Sequence, residues 1–311
     1  MAGGRPAFIT LITLIALMLV ALALRLAPWG QNRFLEDEAL YGYWGLQIAT
    51  GTDPMLDLEP VDKPPLYPYT LALAFLASGT TSGGLRAEAV ARLPSLLASL
   101  GGIALTYNLG RTLYRDRWTG LLAVGLLALS PFDLLFASTA FTDPLLVCLV
   151  LAALLAASRG HLPAAGLLAG LATATKQQGL FFLPLIVALG ALSPSRSRGL
   201  QDRSTFVRAW RSGWPAFVLG FALILAGVLW WDAARLQRPG FLAQSLISYG
   251  GLGPAQLPSL ARRAGEWLRL TGYLWASPWF NALWAGATVL WLIGWARGWA
   301  SPWARVDLLL A

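Results

Sequence analysis

The chain has 311 residues, of which 57% are hydrophobic and 12% charged, about half the charged share of a soluble domain. A soluble fold is excluded, and the formal net charge of +8 therefore argues for no nucleic-acid partner. The lone Cys148 sits inside an apolar run, so there is neither a disulfide framework nor a thiolate metal site. What remains is an all-α integral membrane protein, a multi-helix bundle with membrane lipid around it.

In chain order the apolar runs are 7–27, 66–78, 93–110, 118–140, 144–158, 162–175, 179–192, 214–231 and 278–296. A crossing helix needs about 20 residues to cover roughly 30 Å of hydrocarbon. The first run follows Arg5 and precedes no small-x-small cleavage site, so it reads as an uncleaved first helix. The second, Leu66–Ser78, has 13 residues and suits an interfacial helix.

The positive-inside rule decides its status. With 66–78 on the surface and eight runs crossing, 12 cations fall in short connections on the amino-terminal side, Arg5 and the cluster Arg196, Arg198, Arg203, Arg208 and Arg211 among them. If 66–78 crossed, all of those connections after Arg5 would change sides. Eight spans are therefore expected, with a cytoplasmic amino terminus in the plasma (inner) membrane. Residues 28–92 form a first outer loop with interfacial helices, and 232–277 a second large outer loop. Runs 162–175 and 179–192 are short helices meeting near Lys176, above a water-filled cavity. The ending Val306–Ala311 resembles the first turn of a further span, so 1–311 reads as a single transmembrane module cut short at its carboxy terminus.

The chemistry gathers on the outer side. Residues 28–63 hold seven of the fifteen acids: Glu36, Asp37, Glu38, Asp53, Asp57, Glu59 and Asp62. Acids at the start of a helix complement its dipole, but capping needs one carboxylate and here three are adjacent. Lys63 stands just before Pro64-Pro65, where proline opens a helix and backbone N–H groups point outward. A cation at such an end suits a phosphate. A snorkelling lysine is the plainer account, yet 21 of the 23 basic residues are Arg, so a lysine here is a choice. Asp143 precedes Pro144, the arrangement of an ordinary cap, and the topology sets it on the same side as Asp37. Lys176 lies between two short helices, at a depth where an unpaired charge costs about 3 kcal/mol.

Asp37-Glu38, Lys63-Pro64-Pro65 and Asp143-Pro144, in that order, resemble the GT-C membrane glycosyltransferases of family 39, such as protein O-mannosyltransferases and the lipid A aminoarabinose transferase. The resemblance runs over about residues 8–300 and is strongest in 34–180. It implies a polyprenyl-phosphate sugar donor and transfer of the sugar to a protein, lipid or polymer on the outer face. Asp37 and Glu38 become the catalytic carboxylates, Lys63, Arg86 and Lys176 the donor-phosphate cations, and Asp143 a second acidic group. A divalent cation (Mg, Mn or Zn) is an optional cofactor, with Asp37 and Asp143 as its ligands. A transporter of lipid-linked sugars is the rival, though it predicts internal repeats that the chain lacks. A second rival is a non-catalytic accessory subunit of a glycosylation complex.

Overall fold

The computed structural model describes residues 4–30, 33–58, 60–192, 203–236, 239–248 and 261–266, with 269, 286 and 289 singly. Helix is the only regular structure among them. All of the run 278–296 except 286 and 289, together with Glu59 and about half of 232–277, lies outside the described residues.

Helix α1 (Gly4–Leu26) matches the first run and turns large apolar side chains such as Phe8, Leu11, Ile15 and Leu19 outward. Helix α2 (Glu36–Ala49) begins at the acidic triplet, and α3 occupies Leu66–Ser78, the bounds of the second run. Gly79 ends α3 at φ 63°, in the left-handed region that suits glycine. Helix α4 (Leu85–Tyr114) extends the third run at both ends and carries Pro94 within it. The run 118–140 is not one helix. It is divided into α5 (Arg117–Ala128) and α6 (Pro131–Ala137), bent by 61°. Pro131 has no N–H to continue the ladder and starts a new helix instead.

Helices α7 (Asp143–Ser158) and α8 (Leu162–Thr175) follow, then a 3₁₀ turn (Gln177–Phe182) and α9 (Leu183–Leu192). The break between the two short runs falls at Lys176, whose backbone is extended. Helices α10 (Arg203–Ala234) and α11 (Phe241–Ser248) complete the described elements.

Three helical segments are long and apolar enough to cross a membrane alone: Phe8–Leu26, Leu85–Tyr114 and Gly213–Ala234. The bent pair α5–α6 makes up to four. Eight spans exceed that number because α7 and α8 have only 16 and 14 residues, about 24 and 21 Å of helix.

Helix α8 packs along α10 through Gly166 and Gly170, four residues apart. A Cβ on Gly166 would meet the Phe217 carbonyl oxygen at 2.0 Å, so the two backbones touch there. Such close approach lets apolar helices associate by contact, without a hydrophobic drive between them. An apolar core unites α4, α7, α8, α9 and α10 around Val150, Ala153, Ala169, Ile186 and Phe217. A second, more aromatic core (Tyr41, Trp44, Tyr67, Phe75, Trp231 and Phe241) joins α2 and α3 to α10 and α11.

Candidate active site

Helix α4 presents Glu88, Arg92, Ser95 and Ser99 at spacings of four, three and four, which is one face of a helix. All four are buried and every one is bonded. Glu88 accepts from Arg33 Nε at 2.8 Å. Arg92 donates through Nε to Glu38 Oε1 at 3.1 Å. Ser95 Oγ donates to the Phe141 carbonyl at 3.1 Å and lies 3.1 Å from the Tyr67 hydroxyl. Ser99 Oγ accepts from Arg25 Nε at 2.7 Å and donates to Asp133 Oδ2 at 2.6 Å.

This stripe ties α1, α2, α3, α6 and the 140–143 segment to one rod. The sequence reading missed it, although the 4-3-4 spacing and the isolated charges Arg25 and Asp133 inside apolar runs were signals. Arg25 is fully buried, pairs with Asp133 and also donates to the Ala21 and Ala128 carbonyls.

Glu38 is reassigned by these contacts. Its side chain is 2% exposed. Oε1 accepts from Arg92 and from the Ala140 N–H at 2.8 Å, and Oε2 from the Leu35 N–H at 3.0 Å. A carboxylate whose lone pairs are taken by three donors holds geometry rather than a substrate proton. Glu38 thus fixes the start of α2 to the segment leading into Asp143.

Asp37, one residue earlier, is exposed and makes no hydrogen bond or ion pair among the described residues. It lies one turn from Tyr41 on α2. The Tyr41 ring rests on Phe141 at 6.3 Å and on Tyr67 at 5.8 Å, both edge-on. Burial pushes the Tyr67 phenol well above its usual range, with the Ser95 hydrogen bond opposing and the Glu38 and Asp143 charges adding to the rise. Tyr67 therefore stays a neutral donor.

Asp143 opens α7 and pairs with Lys176, Nζ to Oδ1 at 2.8 Å. Here the expected water-filled cavity gives way to a direct partner: the Lys176 side chain is 20% exposed and that of Asp143 36%. Gln177 carries the link onward, donating from Nε2 to the Asp62 carbonyl at 2.9 Å and to Ser245 Oγ at 3.0 Å. The buried Lys63 ammonium meets Asp62 Oδ2 at 3.0 Å. The 60–65 segment, α7 and the α8 break thus converge, bringing the Lys63, Asp143 and Lys176 segments to one place. Gly179 makes that approach close, since a Cβ there would sit 2.6 Å from the Thr173 nitrogen. Beside them lies a small apolar cavity of about 100 Å³, lined by Pro64, Thr173, Gln177, Val228 and Phe241 among others.

Arg86 does not join this group. It donates to the Ser78 carbonyl at 2.5 Å, at the carboxy-terminal end of α3. Lys63 precedes the other end, and 13 residues of helix separate the two, about 20 Å. As to a metal, no group of three or more His, Cys, Asp or Glu is placed to hold one among the described residues. Asp37 and Asp143 stand on separate helices, and one Asp143 oxygen is already taken by Lys176.

The segment between α2 and α3 is clamped a second time. Arg235, fully buried at the end of α10, donates to the Leu56 carbonyl through Nε (3.1 Å) and Nη2 (2.5 Å). Asp53 accepts from the Asp57 and Leu58 N–H groups at 2.7 and 2.9 Å, holding the turn in which Leu56 adopts φ 57°. Two of the seven outer acids are thereby structural, Asp53 within the turn and Asp57 through the Leu236 N–H at 2.6 Å.

Comparison with known families puts the chain in one class, the GT-C membrane glycosyltransferases. A family model described as dolichyl-phosphate-mannose-protein mannosyltransferase matches residues 62–231, which is 170 of the 311 residues. The chain belongs to that family. The matched stretch contains Lys63, Arg92, Asp143 and Lys176, while Asp37 and Glu38 precede it. No curated protein matches the chain. Membership supports glycosyl transfer from a lipid-linked donor in a membrane.

Proposed function

We propose that the chain transfers a sugar from a polyprenyl-phosphate donor to a hydroxyl-bearing acceptor at the outer face of the plasma membrane, where Asp37 is the general base. The observation that carries this reading is the convergence of Lys63, Asp143 and Lys176 through the Gln177 bridge. The Lys176 ammonium on a half-open carboxylate, with the Lys63 ammonium on the segment that Gln177 ties to it, suits a phosphate that gains charge as its bond to the sugar breaks. The apolar cavity beneath Pro64 takes the first units of the prenyl chain.

The acceptor O–H gives its proton to Asp37 as its oxygen bonds to the anomeric carbon. The carbon–oxygen bond to phosphate breaks at the same time, and the lipid phosphate leaves with the electron pair. Lys63 and Lys176 stabilise that departing charge. Asp143 orients Lys176, and Glu38 with Arg92 sets the distance between α2 and α7. One displacement inverts the anomeric centre.

The test offers purified protein a panel of radiolabelled polyprenyl-phosphate sugars, with membrane extract as acceptor source and with or without Mn²⁺ or Mg²⁺. Label leaves the donor with the native chain, and Asp37→Asn lowers the rate by about a thousandfold while donor binding persists. Full activity in Asp37→Asn removes the base assignment. Donor bound but never consumed by the native chain points to a non-catalytic accessory subunit or a transporter of the lipid-linked sugar, and no binding rejects the donor assignment.

A further inference from the structure

A second, larger cavity of about 530 Å³ lies on the other side of α2, between the ends of α1 and α6 and the Arg92 turn of α4. Its walls are mixed. Leu24, Leu35, Leu134 and Leu135 supply apolar surface, and Leu35 and Leu135 are exposed at the molecule's outside. Arg33, Arg92 and Glu38 supply charge, with Arg33 paired to Glu88 and Arg92 to Glu38.

That anion is already saturated. Glu38 is engaged by Arg92, Ala140 and Leu35, so it has little left to offer the cavity. Arg92 is the opposite. It is 3% exposed, its Nε holds Glu38, and its guanidinium lies 5.1 Å from the Phe34 ring centre. Its terminal nitrogens make no hydrogen bond, and they are not sealed within the packing but face the cavity. Four N–H groups without acceptors, on a guanidinium that faces the cavity, call for an anion with several oxygens. The apolar walls and their position beside the end of α1 call for that anion to be carried on acyl chains.

We infer that this cavity binds the headgroup of an anionic phospholipid from the surrounding leaflet, with the phosphate on Arg92 and Arg33 and the chains leaving past Leu35 and Leu135. The bound lipid would brace the Glu38–Arg92 pair and, through the Ala140 N–H, the segment that leads into Asp143.

The experiment is native mass spectrometry of the full chain in detergent with phosphatidylglycerol and phosphatidylcholine added equally. A charge-assisted hydrogen bond predicts about a tenfold preference for phosphatidylglycerol. Arg92→Gln breaks a buried pair and is prone to misfold, so Ser138→Trp serves as the main variant. It fills the cavity without touching that pair, and it is expected to bring the ratio near one. No preference in the native chain, or a preference that survives Ser138→Trp, overturns the inference. Inorganic phosphate displacing phosphatidylglycerol at low concentration would show a phosphate site without a lipid requirement and reject the lipid occupant. A polyprenyl phosphate that competes here, and is retained by Lys63→Ala but lost by Ser138→Trp, would assign the cavity to the donor instead. Failure of the transferase reading appears separately, in Asp37→Asn turnover, and leaves the lipid ratio unchanged.

Discussion

Arg25–Asp133 and Lys176–Asp143 are both ion pairs that tie together separate elements of one apolar bundle, yet they are built to different ends. The first is closed. Arg25 is fully buried, and Ser99 and two backbone carbonyls take up its remaining donors. The second is open, with a fifth of the Lys176 side chain and a third of the Asp143 side chain reaching solvent. Lys176 contacts Asp143 through a single bond and keeps protons to spare. Between these two pairs, the number of donors left over separates a charge that holds a fold from one able to meet a substrate.

Breaking the closed pair should cost the most. Arg25→Leu leaves the partly buried Asp133 without its cation and should destabilise the protein by about 3 kcal/mol, read by denaturant unfolding in detergent. Arg25→Met with Asp133→Leu should recover most of that loss. Breaking the open pair should act on turnover instead. Lys176→Ala should lower kcat/KM by about a hundredfold with a small change in Tm. A large loss of stability there would erase the distinction.

Glu38→Gln sharpens it from between. The shape is kept, but Arg92 loses its charge partner, which should cost about 2 kcal/mol and lower kcat while donor affinity holds. The smallest effect belongs to Asp116. Its carboxyl is held below 3.8 because it accepts from the Thr119 N–H and hydroxyl at the start of α5. A depressed carboxylate stabilises above its unfolded value and loses that contribution as pH falls through the folded one. Asp116→Ala should therefore lower Tm slightly at neutral pH, and the difference should vanish in acid well below 3.8.

The same contrast governs what was legible in the sequence. Helices α3 and α8 occupy the bounds of their apolar runs, because an unbroken run ended by glycine or a polar residue leaves few alternatives. The bend at Pro131 was hidden by a hydropathy pattern that does not register a missing N–H. At the site, Lys63, Asp143 and Lys176 stood out as charges beside apolar helices, and their segments meet. Glu38 and Arg86 did not follow, since local sequence says nothing of which acceptor a side chain will reach. Glu38 was claimed by an Arg 54 residues away and Arg86 by the end of its neighbouring helix.

The short helices of this bundle also bear on the bilayer itself. Next to α10, whose Gly213–Ala234 segment alone is 22 residues long, α8 offers only 14, a difference of about 12 Å in length. Lipid on that side must thin, or part of the helix face must go without hydrocarbon, and each ångström of mismatch carries a modest cost.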